Sequence, residues 1–469
     1  MEHINLQNKR VGIVGLSVEG LITLDYLQKS KAHITVYDQR DINNLPESVR
    51  DAINKNNIKG SFGPDYLSGI EENELIVRTP GMPLWDFQIQ SAIKKGVTVT
   101  SHTKLFFTQC PCPIIGVTGT KGKGTTASLI YEILKHSGKD VYLGGNIGTP
   151  PLSFIDKLNR DSWAVLELSS FQLEDLDKSP HIGVVLNITS DHLASQSKES
   201  PNYHRAHTDY LKSKQNILLH QNKNDFALLN YDSNTTKNLD KITKGEVWYF
   251  SNRSELAKGS FVKNGFIVIK DGSNTHTVCK TDKVSLLGKH NLENITAAIT
   301  TGYILKVSLD TIQKTVSLFK GLEHRLEFVR EISGVAYYND SFSTVPETAI
   351  AAIQSFSNPI ILIAGGSEKN SDYKKLGEEI ITSPVKAVIL IGETGPQIKK
   401  AIVNAGYKTD KKLPTIIEGS GSMKEIIHKT NSLSEKDDIV LLSPASASFG
   451  LFKNYKERGK LFKDYVTKL

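Results

Sequence analysis

A glycine-rich turn between an apolar run and an amphipathic segment is the strongest chemical signal in this sequence. The apolar run at residues 113–117 is typical of a buried strand, and the segment Ala127–Leu134 has the apolar spacing of a helix. Glycines let backbone N–H groups face an anion, a helix N-terminus adds partial positive charge, and a lysine neutralises outer phosphates. The turn therefore predicts a nucleoside triphosphate site, in which Thr125 supplies a hydroxyl to Mg²⁺. The residues expected to line it are Gly119, Thr120, Gly122, Lys123, Gly124, Thr125 and Thr126.

The turn departs from the common phosphate-loop pattern at two positions. That pattern has glycine five residues before Gly122, where this chain has Val117, and a hydroxyl residue directly after the lysine, where it has Gly124. Thr125 stands one position later. The alternative interpretation is an ordinary glycine-rich connection between a strand and a helix.

Polar residues follow two further apolar runs in the same region. The run Trp163–Leu168 contains Glu167 and leads into a Ser-Ser-Phe-Gln segment, and the run Gly183–Leu186 leads towards Asp191 and His192. Parallel sheets bind ligands at the carboxyl ends of their strands. Both polar segments are therefore candidate site residues.

The N-terminal region shows a strand–helix–strand pattern that is typical of nucleotide binding. Apolar residues at 10–16 end in a glycine-containing turn, and a second apolar run ends at Asp38. Ser17 stands where the dinucleotide fingerprint has glycine, which argues against a nicotinamide dehydrogenase. A turn that binds nothing remains the alternative. A third strand pattern, Leu75–Val77, leads into a sharp Pro-Gly loop at Gly81.

Chain length and the order of these patterns predict three units of the α/β class. A chain of 469 residues holds about three domains, at ~150 residues each. A Pro/Cys-rich joint at 109–113 and a new strand pattern after Gly321 divide it into residues 1–110, 111–320 and 321–469. Further predicted elements are strands at Val335–Tyr338, Ile360–Ala364, Ala387–Ile391 and Ile439–Leu442, short strands over 246–281, a helix from His290 and a loop over 195–210.

The amino-acid composition indicates which binding partners and which cellular compartment to expect. The net charge of +7 comes from interspersed charges without a basic block, so nucleic acid binding is not supported. No stretch approaches the ~20 apolar residues of a membrane span. The three cysteines, Cys110, Cys112 and Cys279, form no C-x-x-C pair, which indicates reduced thiols in a cytoplasmic protein.

Seven motifs, in this order, resemble those of the Mur ligases, the ATP-dependent amide-forming enzymes of peptidoglycan precursor synthesis. They are Gly119-Thr-Lys-Gly-Lys123, Gly144-Gly-Asn-Ile-Gly148, Glu167-Leu-Ser-Ser-Phe-Gln-Leu173, Asp191-His192, His290-Asn291-x-x-Asn294, Gly321-Leu-x-His-Arg325 and Asn339-Asp340-Ser341. The second, the third and the run Leu442-Ser-Pro-Ala-Ser-Ala-Ser448 look specifically like those of glutamate-adding members. The resemblance covers nearly the whole chain. It implies a UDP-binding Rossmann-like N-terminal domain, a central P-loop ATPase domain and a Rossmann-like C-terminal domain that closes over the site.

The resemblance also implies an activity. ATP would phosphorylate the carboxylate of UDP-N-acetylmuramoyl-L-alanine, and the amine of D-glutamate would attack the acyl phosphate. Positioning and charge neutralisation dominate such transfers. Two alternatives stay open: the same reaction with L-glutamate, and another superfamily ligase such as a folylpolyglutamate synthetase. Small-molecule substrates and a monomer are expected.

The resemblance implies a role for each matching residue. The catalytic set is Lys123, Glu167, His192 and Lys214. The Mg²⁺ ligands are Thr125, Glu167, His192 and Lys214, the last as a carbamate, with Lys212 as the alternative register. Further nucleotide contacts are His290, Asn291, Asn294, Arg325 and Asp340. The UDP precursor would contact Ser17, Asp38, Gln39, Arg40, Thr79, Gly81, Asn146, Ser169 and Gln172, and glutamate would contact Thr344, Lys369, Ser448, Phe449 and Tyr455.

Two departures from the family pattern lie in the predicted third unit, residues 321–469. Phe342 stands where the D-glutamate-adding enzymes usually have lysine, and Phe449 stands where they usually have leucine. Both lie near the expected amino-acid site. They leave the identity or stereochemistry of the amino acid open.

Overall fold

The chain folds into two compact units, each built on parallel-dominated sheets. The computed structural model describes residues 6–189, 203–286, 288–368, 371–409, 411–419 and 421–469, and only the backbone of Lys289 and His290. One unit comprises Met1–Thr281 with Glu293–Val316, and the other comprises Asp282–Leu292 with Ser317–Leu469. The first contains two sheets and the second contains one. The predicted α/β class is confirmed.

The first sheet is fully parallel and contains the predicted N-terminal strand–helix–strand pattern. Its strands are β1 (Arg10–Val14), β2 (His33–Asp38), β3 (Lys59–Phe62), β4 (Leu75–Arg78) and β5 (Thr98–Ser101), in the order β3-β2-β1-β4-β5. Its helices are α1 (Val18–Gln28), α2 (Glu47–Lys55), α3 (Phe87–Lys94) and α4 (His102–Gln109). Because every strand pair is parallel, the carboxyl ends of β1, β2 and β4 share one edge.

The second sheet has nine strands and contains the phosphate-loop segment at its centre. Its strands are β6 (Ile114–Thr118), β7 (Val141–Gly145), β8 (Trp163–Glu167), β9 (Ile182–Val185), β10 (Phe226–Asn230), β11 (Glu246–Ser251), β12 (Lys258–Lys263), β13 (Phe266–Asp271) and β14 (Asn274–Lys280). The order is β14-β13-β12-β11-β10-β9-β6-β8-β7, in which β12–β13 and β13–β14 are antiparallel pairs and the others are parallel. The helices that follow these strands are α5 (Lys123–His136), α6 (Ser170–Leu173), α7 (His207–Leu219), α8 (Asn234–Lys237), α9 (Lys289–Ile304) and α10 (Leu309–Leu318).

The two sheets of the first unit share a continuous hydrophobic core. Apolar residues of β1, α1 and α4 belong to the same buried cluster as residues of β8 and α7. The ring of Phe106 on α4, for example, meets the ring of Phe154 edge-on, with centroids 5.7 Å apart. The runs in β6 and β8 are apolar without alternation because both faces of these central strands are covered.

The second unit contains a six-stranded sheet. Its strands are β15 (Glu327–Ile332), β16 (Val335–Asn339), β17 (Ile360–Gly366), β18 (Val385–Gly392), β19 (Thr415–Glu418) and β20 (Ile439–Leu442), in the order β15-β16-β20-β17-β18-β19. Its helices are α11 (Pro346–Ile353), α12 (Lys374–Thr382), α13 (Gly395–Thr409), α14 (Met423–Leu433) and α15 (Tyr455–Thr467). The pair β15–β16 is antiparallel, and the other pairs of this sheet are parallel. All four strands predicted in this region are present.

The sequence-based assignment was wrong at the end of the predicted loop over 195–210. Helix α7 begins at His207, so the last four residues of that range are helical. The residues 195–202 lie outside the described part of the chain. The apolar side chains that anchor the helix, including Tyr210 and Ile217, lie mostly beyond the predicted loop, so its polar first turn did not look helical.

Two further expectations concern membranes and thiols. In the described ranges, no helix combines the length and the apolar character needed to cross a membrane. Cys110, Cys112 and Cys279 are free, which agrees with the predicted reduced thiols. All three are buried, and the Sγ atoms of the first two lie 3.5 Å apart.

Candidate active site

The glycine turn after β6 is shaped so that side chains cannot occupy it. Gly119 has φ 154° and Gly122 has φ 86°. A Cβ atom on Gly119 would lie 2.7 Å from Cβ of Leu186, and one on Gly122 would lie 2.2 Å from Oδ1 of Asn294. The loop backbone therefore passes close to its neighbours and leads into the N-terminus of α5 at Lys123. A bare backbone at a helix N-terminus fits a phosphate group.

The loop is held by contacts from three neighbouring segments. The N–H of Thr120 donates to the carbonyl of Asn187 at 2.8 Å, and the Thr120 hydroxyl lies 2.9 Å from the hydroxyl of Tyr210. Thr126 donates through Oγ1 to Oδ1 of Asn294 at 3.1 Å, and Nζ of Lys123 donates to the Thr120 carbonyl at 2.9 Å. Asn294, predicted as a nucleotide contact, thus also braces the loop from α9.

Glu167 lies at the edge of the sheet beside this loop. In the parallel pair β6–β8 it is in register with Val117, the penultimate residue of β6. Its side chain is buried, with Oε1 accepting a hydrogen bond from Nδ2 of Asn146 at 3.2 Å. Its Oε2 is buried and has no hydrogen-bond partner within the described residues. An orphaned buried carboxylate oxygen beside a phosphate cradle fits a hard cation such as Mg²⁺.

Lys214 approaches the same loop from α7. The side chain is almost wholly buried, and Nζ donates to the Gly119 carbonyl at 3.0 Å and to Oγ1 of Thr118 at 3.2 Å. It also lies 4.7 Å from the centroid of the Tyr210 ring. Lys212, the alternative register, is exposed. The fold therefore brings Lys214, and not Lys212, into the loop.

The predicted UDP-binding residues lie at the carboxyl edge of the first sheet. Oδ2 of Asp38 accepts from the N–H of Leu16 at 2.8 Å, and Arg40 forms an ion pair with the same carboxylate at 2.8 Å. Burial alone would raise the pKa of Asp38, but the hydrogen bonds from Arg40 and Leu16 outweigh it and lower the pKa. Thr79 is also buried, donating to the Val14 carbonyl at 3.0 Å. Ser17, Gln39 and Gly81 are exposed at this edge.

Ser169 and Gln172 form a capping box at the start of α6. Ser169 Oγ accepts from the N–H of Gln172, and Gln172 Oε1 accepts from the N–H of Ser169. The Gln172 amide also donates to Oε1 of Glu19 on α1 at 2.7 Å. Both predicted substrate residues therefore stabilise the segment that follows Glu167.

Two charged residues next to α6 were not predicted as site residues: Glu19, which is partly buried, and Arg78, which is buried. Burial raises the pKa of Glu19 to about 7, although Gln172 and Arg78 both favour the ionised form. Arg78, fully buried at the end of β4, lies 3.3 Å from carboxylate oxygens of both Glu174 and Asp175. A charged residue that ends an apolar strand was the available signal for Arg78, whereas nothing in the spacing pointed to Glu19.

The predicted residues of the second unit lie after β16 and β20. These strands are parallel neighbours, with Asn339 in register with Leu442, so the loops that carry Thr344 and Ser448 leave the same edge. Phe449 is exposed, whereas Ser448 is buried and Tyr455 is half-buried. The guanidinium carbon of Arg325 lies 4.0 Å from the centroid of the Phe342 ring.

Asp340 is turned into the second unit. Its Oδ1 accepts from the N–H of Leu326 at 3.1 Å and its Oδ2 accepts from Ser443 Oγ at 2.7 Å. Burial raises the pKa of Asp340 to about 7. Through these contacts Asp340 supports the loop that contains Leu326. Asn291 is buried as well, whereas His192, Lys369 and the side chain of His290 lie outside the described residues.

The fold and the bare phosphate cradle define an α/β nucleotide-binding protein, and comparison with known proteins places it in a family. Residues 9–101 match the MurD-like N-terminal domain of Mur ligases, residues 117–302 the Mur ligase middle domain, and residues 324–446 the Mur ligase glutamate ligase domain. The chain belongs to the Mur ligases, which are ATP- and Mg²⁺-dependent enzymes that form amide bonds.

Individual relatives are similar over the full chain length. The UDP-N-acetylmuramoylalanine–D-glutamate ligase of Acetivibrio thermocellus is 38% identical, covering 99% of this chain and 97% of its own. The enzyme of the same name from Ruminiclostridium cellulolyticum is 37% identical, covering 99% and 98%. The crystal structure of MurF ligase from Thermotoga maritima in complex with ADP has a TM-score of 0.57 at 18% identity, covering 99% of this chain and 96% of its own, and shows a shared fold.

Replacing Gly122 with alanine should weaken nucleotide binding. The added Cβ would meet Asn294 Oδ1 and the φ of 86° would be strained, by roughly 1–2 kcal/mol for the backbone alone. Gly138→Ala is the matched control, because Gly138 follows the same helix with φ 80° and has open space around its Cα. Both variants should lose stability by thermal denaturation, but only Gly122→Ala should lose affinity for Mg²⁺–ADP, at least about tenfold by calorimetry. Wild-type affinity in Gly122→Ala would contradict the loop assignment.

Glu19→Gln should change how stability depends on pH. The raised pKa of about 7 means that the folded protein keeps a proton that the unfolded chain releases above its ordinary value of 4.5. The wild type should therefore gain stability as pH falls from about 7 towards 4.5, by on the order of 3 kcal/mol, and the variant should lack this gain. Urea denaturation at pH 5.5 and 8 measures it, with exposed Glu47→Gln as the control. Identical pH dependence in wild type and Glu19→Gln would exclude this assignment.

Proposed function

We propose that this chain is an ATP-dependent ligase that joins D-glutamate to UDP-N-acetylmuramoyl-L-alanine. The observation that carries the proposal is the buried, unpartnered Oε2 of Glu167 within the described residues, one strand away from the bare loop at Gly122. That pairing provides a cation ligand beside a phosphate cradle, as a phosphoryl transfer to a carboxylate requires. The names of full-length relatives at 37–38% identity support the choice of substrates.

Different residues of the chain would bind the phosphates and the metal ion. The loop N–H groups and Lys123 would hold the outer phosphates, and Thr125, Glu167 and His192 would hold Mg²⁺. Bound Mg²⁺ would neutralise the two anions that must meet, the γ-phosphate and the substrate carboxylate. Asn146 orients Glu167 through its 3.2 Å hydrogen bond. The γ-phosphoryl group would pass from ATP to the substrate carboxylate with release of ADP. The amine of glutamate would then attack the carbonyl carbon of the acyl phosphate, lose a proton and expel phosphate.

Two groups of residues, one in each unit, would bind the two substrates. Ser17, Gln39, Arg40 and Gly81 stand at the carboxyl edge of the first sheet, where a parallel sheet binds nucleotides. Thr344, Lys369, Ser448, Phe449 and Tyr455 would bind glutamate, for which hydroxyl donors and a cation suit two carboxylates.

The organisation of the protein is proposed to follow the family. Domain limits at 1–110, 111–320 and 321–469 agree with a sheet of its own in each range. A cytoplasmic enzyme is supported by three free, buried thiols, which persist in reducing compartments. We also propose that the enzyme acts as a monomer, which sedimentation at assay concentration would test.

The activity is tested by phosphate release. Pure protein with ATP, Mg²⁺ and UDP-N-acetylmuramoyl-L-alanine should release phosphate on addition of D-glutamate, and Lys123→Ala should reduce the rate by at least about 100-fold, because it removes the charge on the outer phosphates. Release with L-glutamate alone would assign the chain to an L-glutamate-adding enzyme. Absence of release with either isomer would refute the proposed function.

Lys214 is proposed to act as a carbamate. A neutral amine and CO₂ form an N-carboxylate with loss of a proton, which gives Mg²⁺ an oxygen ligand. The buried position of the side chain beside Gly119 supports this role. Lys214→Ala should be inactive and partly rescued by added formate or acetate. The more exposed Lys212→Ala variant is the control and should keep near-normal activity. Full activity of Lys214→Ala without a carboxylate would remove Lys214 from the metal site.

A further inference from the structure

Cys110 and Cys112 form a close pair of thiols that the proposed reaction does not use. Their Sγ atoms lie 3.5 Å apart, and Sγ of Cys110 lies 3.4 Å from the carbonyl oxygen of Cys112. Both thiols are free and buried. A disulfide has an S–S length of about 2.05 Å, so bond formation requires the two sulfur atoms to approach by about 1.5 Å. A change of χ1 rotamer moves a sulfur atom by more than this distance.

The backbone on both sides of the pair is held in place. Cys110 follows the last residue of α4, and its N–H donates to the Phe106 carbonyl at 2.8 Å. Its ψ of 122° is extended, as expected for a residue before proline. Just before β6, the carbonyl of Pro113 accepts a hydrogen bond from the N–H of Ala164 at 3.2 Å. Because Pro111 between the two cysteines also has a fixed φ, few backbone rearrangements can separate the thiols.

The two thiols differ in acidity. The hydrogen bond from Cys112 lowers the pKa of Cys110, and the same contact raises the pKa of Cys112. Because the thiolate is the reactive form of cysteine, Cys110 is the nucleophile of the pair and Cys112 is the hydrogen-bond donor. Cys279 lies on β14, where burial raises the pKa of its thiol to about 11. The pair is therefore more reactive than the third thiol.

We propose that Cys110 and Cys112 are a redox modification site, at which a hydroperoxide converts the two thiols into a disulfide. The Cys110 thiolate attacks one oxygen of the hydroperoxide, the O–O bond breaks, and the other oxygen takes a proton and leaves as an alcohol, or as water from hydrogen peroxide. The sulfur of Cys112 then attacks the Cys110 sulfenic acid, which forms the S–S bond and expels water together with the Cys112 proton. Two thiols are thereby oxidised, and one hydroperoxide is reduced.

The surroundings of the pair make this disulfide reducible. Cys110 and Cys112 belong to the same buried cluster as Phe106 and Ile114. A close-packed interior resists the movement of the two sulfur atoms, and a strained disulfide is reduced more easily than a relaxed one. A dithiol such as dithiothreitol should therefore reverse the modification by exchange. The oxidised form is thus a reversible state of the segment that joins α4 to β6, the strand before the phosphate loop.

Thiol counting and mass spectrometry of the full chain test the proposal. Reduced protein that is treated with excess hydrogen peroxide should become about 2 Da lighter and should retain one of its three thiols for alkylation after denaturation. Trypsin cleaves after Lys104 and Lys121, so the link should lie inside peptide 105–121, and Cys279 should be the alkylated residue. Dithiothreitol should restore all three thiols.

Single substitutions assign the roles of the two cysteines. Cys279→Ser is the matched control and should form the same internal link as the wild type. Cys112→Ser should stop at the Cys110 sulfenic acid, which dimedone traps as a covalent adduct, because the second sulfur is absent. Cys110→Ala should keep Cys112 as a free thiol under the same treatment. Circular dichroism checks that each variant is folded.

The wild-type measurement remains decisive if a variant fails to fold. Retention of all three thiols, oxidation of Cys279 before the pair, or a link between two chains would overturn the inference. A dimedone adduct on Cys110 of the wild type without a subsequent link would overturn it as well. These measurements need no turnover, so the redox site and the proposed function are tested independently of each other.

Discussion

The phosphate loop depends on a backbone that runs where no side chain fits. At Gly122 a single methyl group would collide with Asn294, and at Gly119 it would collide with Leu186. The strand before the loop, the helix after it and the residues packed on either side are all arranged around this gap. Because the gap lies at the centre of a parallel sheet, the carboxyl ends of the neighbouring strands bring Glu167 to it without any special local device.

Buried charge is concentrated around the same edge. Glu167, Glu19 and Asp175 each retain a buried oxygen without a hydrogen-bond partner in the described part of the chain, and Glu174 forms an ion pair with Arg78 at 3.3 Å. Such atoms are costly in an ordinary core and are expected where a ligand or a second function compensates them. The capping box of Ser169 and Gln172 connects Glu19 to the segment after Glu167. Helix α1, which follows the first strand of the first sheet, thereby contacts the segment after Glu167, and Glu167 belongs to the second sheet.

The second unit holds Arg325 in a constrained loop. Strain at His324 and Leu326 fixes the backbone around Arg325, and the Phe342 ring stacks on the guanidinium. Within this unit, Asp340 keeps the loop in place through Leu326. Phe342, which departs from the family pattern, thus packs between Arg325 and Tyr455.

The sequence alone determined the glycine cradle, the apolar strands and the α/β class, because glycine spacing and apolar runs are local properties of the chain. It also indicated Glu167 as a strand-end carboxylate. It did not identify α7 from its polar first turn. It favoured Lys214 over Lys212 only by register in the motif, since two residues on one helix differ in the face that the fold buries. The surroundings of Glu19, Arg78 and Phe342 were decided by tertiary structure, because each depends on a partner that is distant in the chain, such as Gln172 for Glu19.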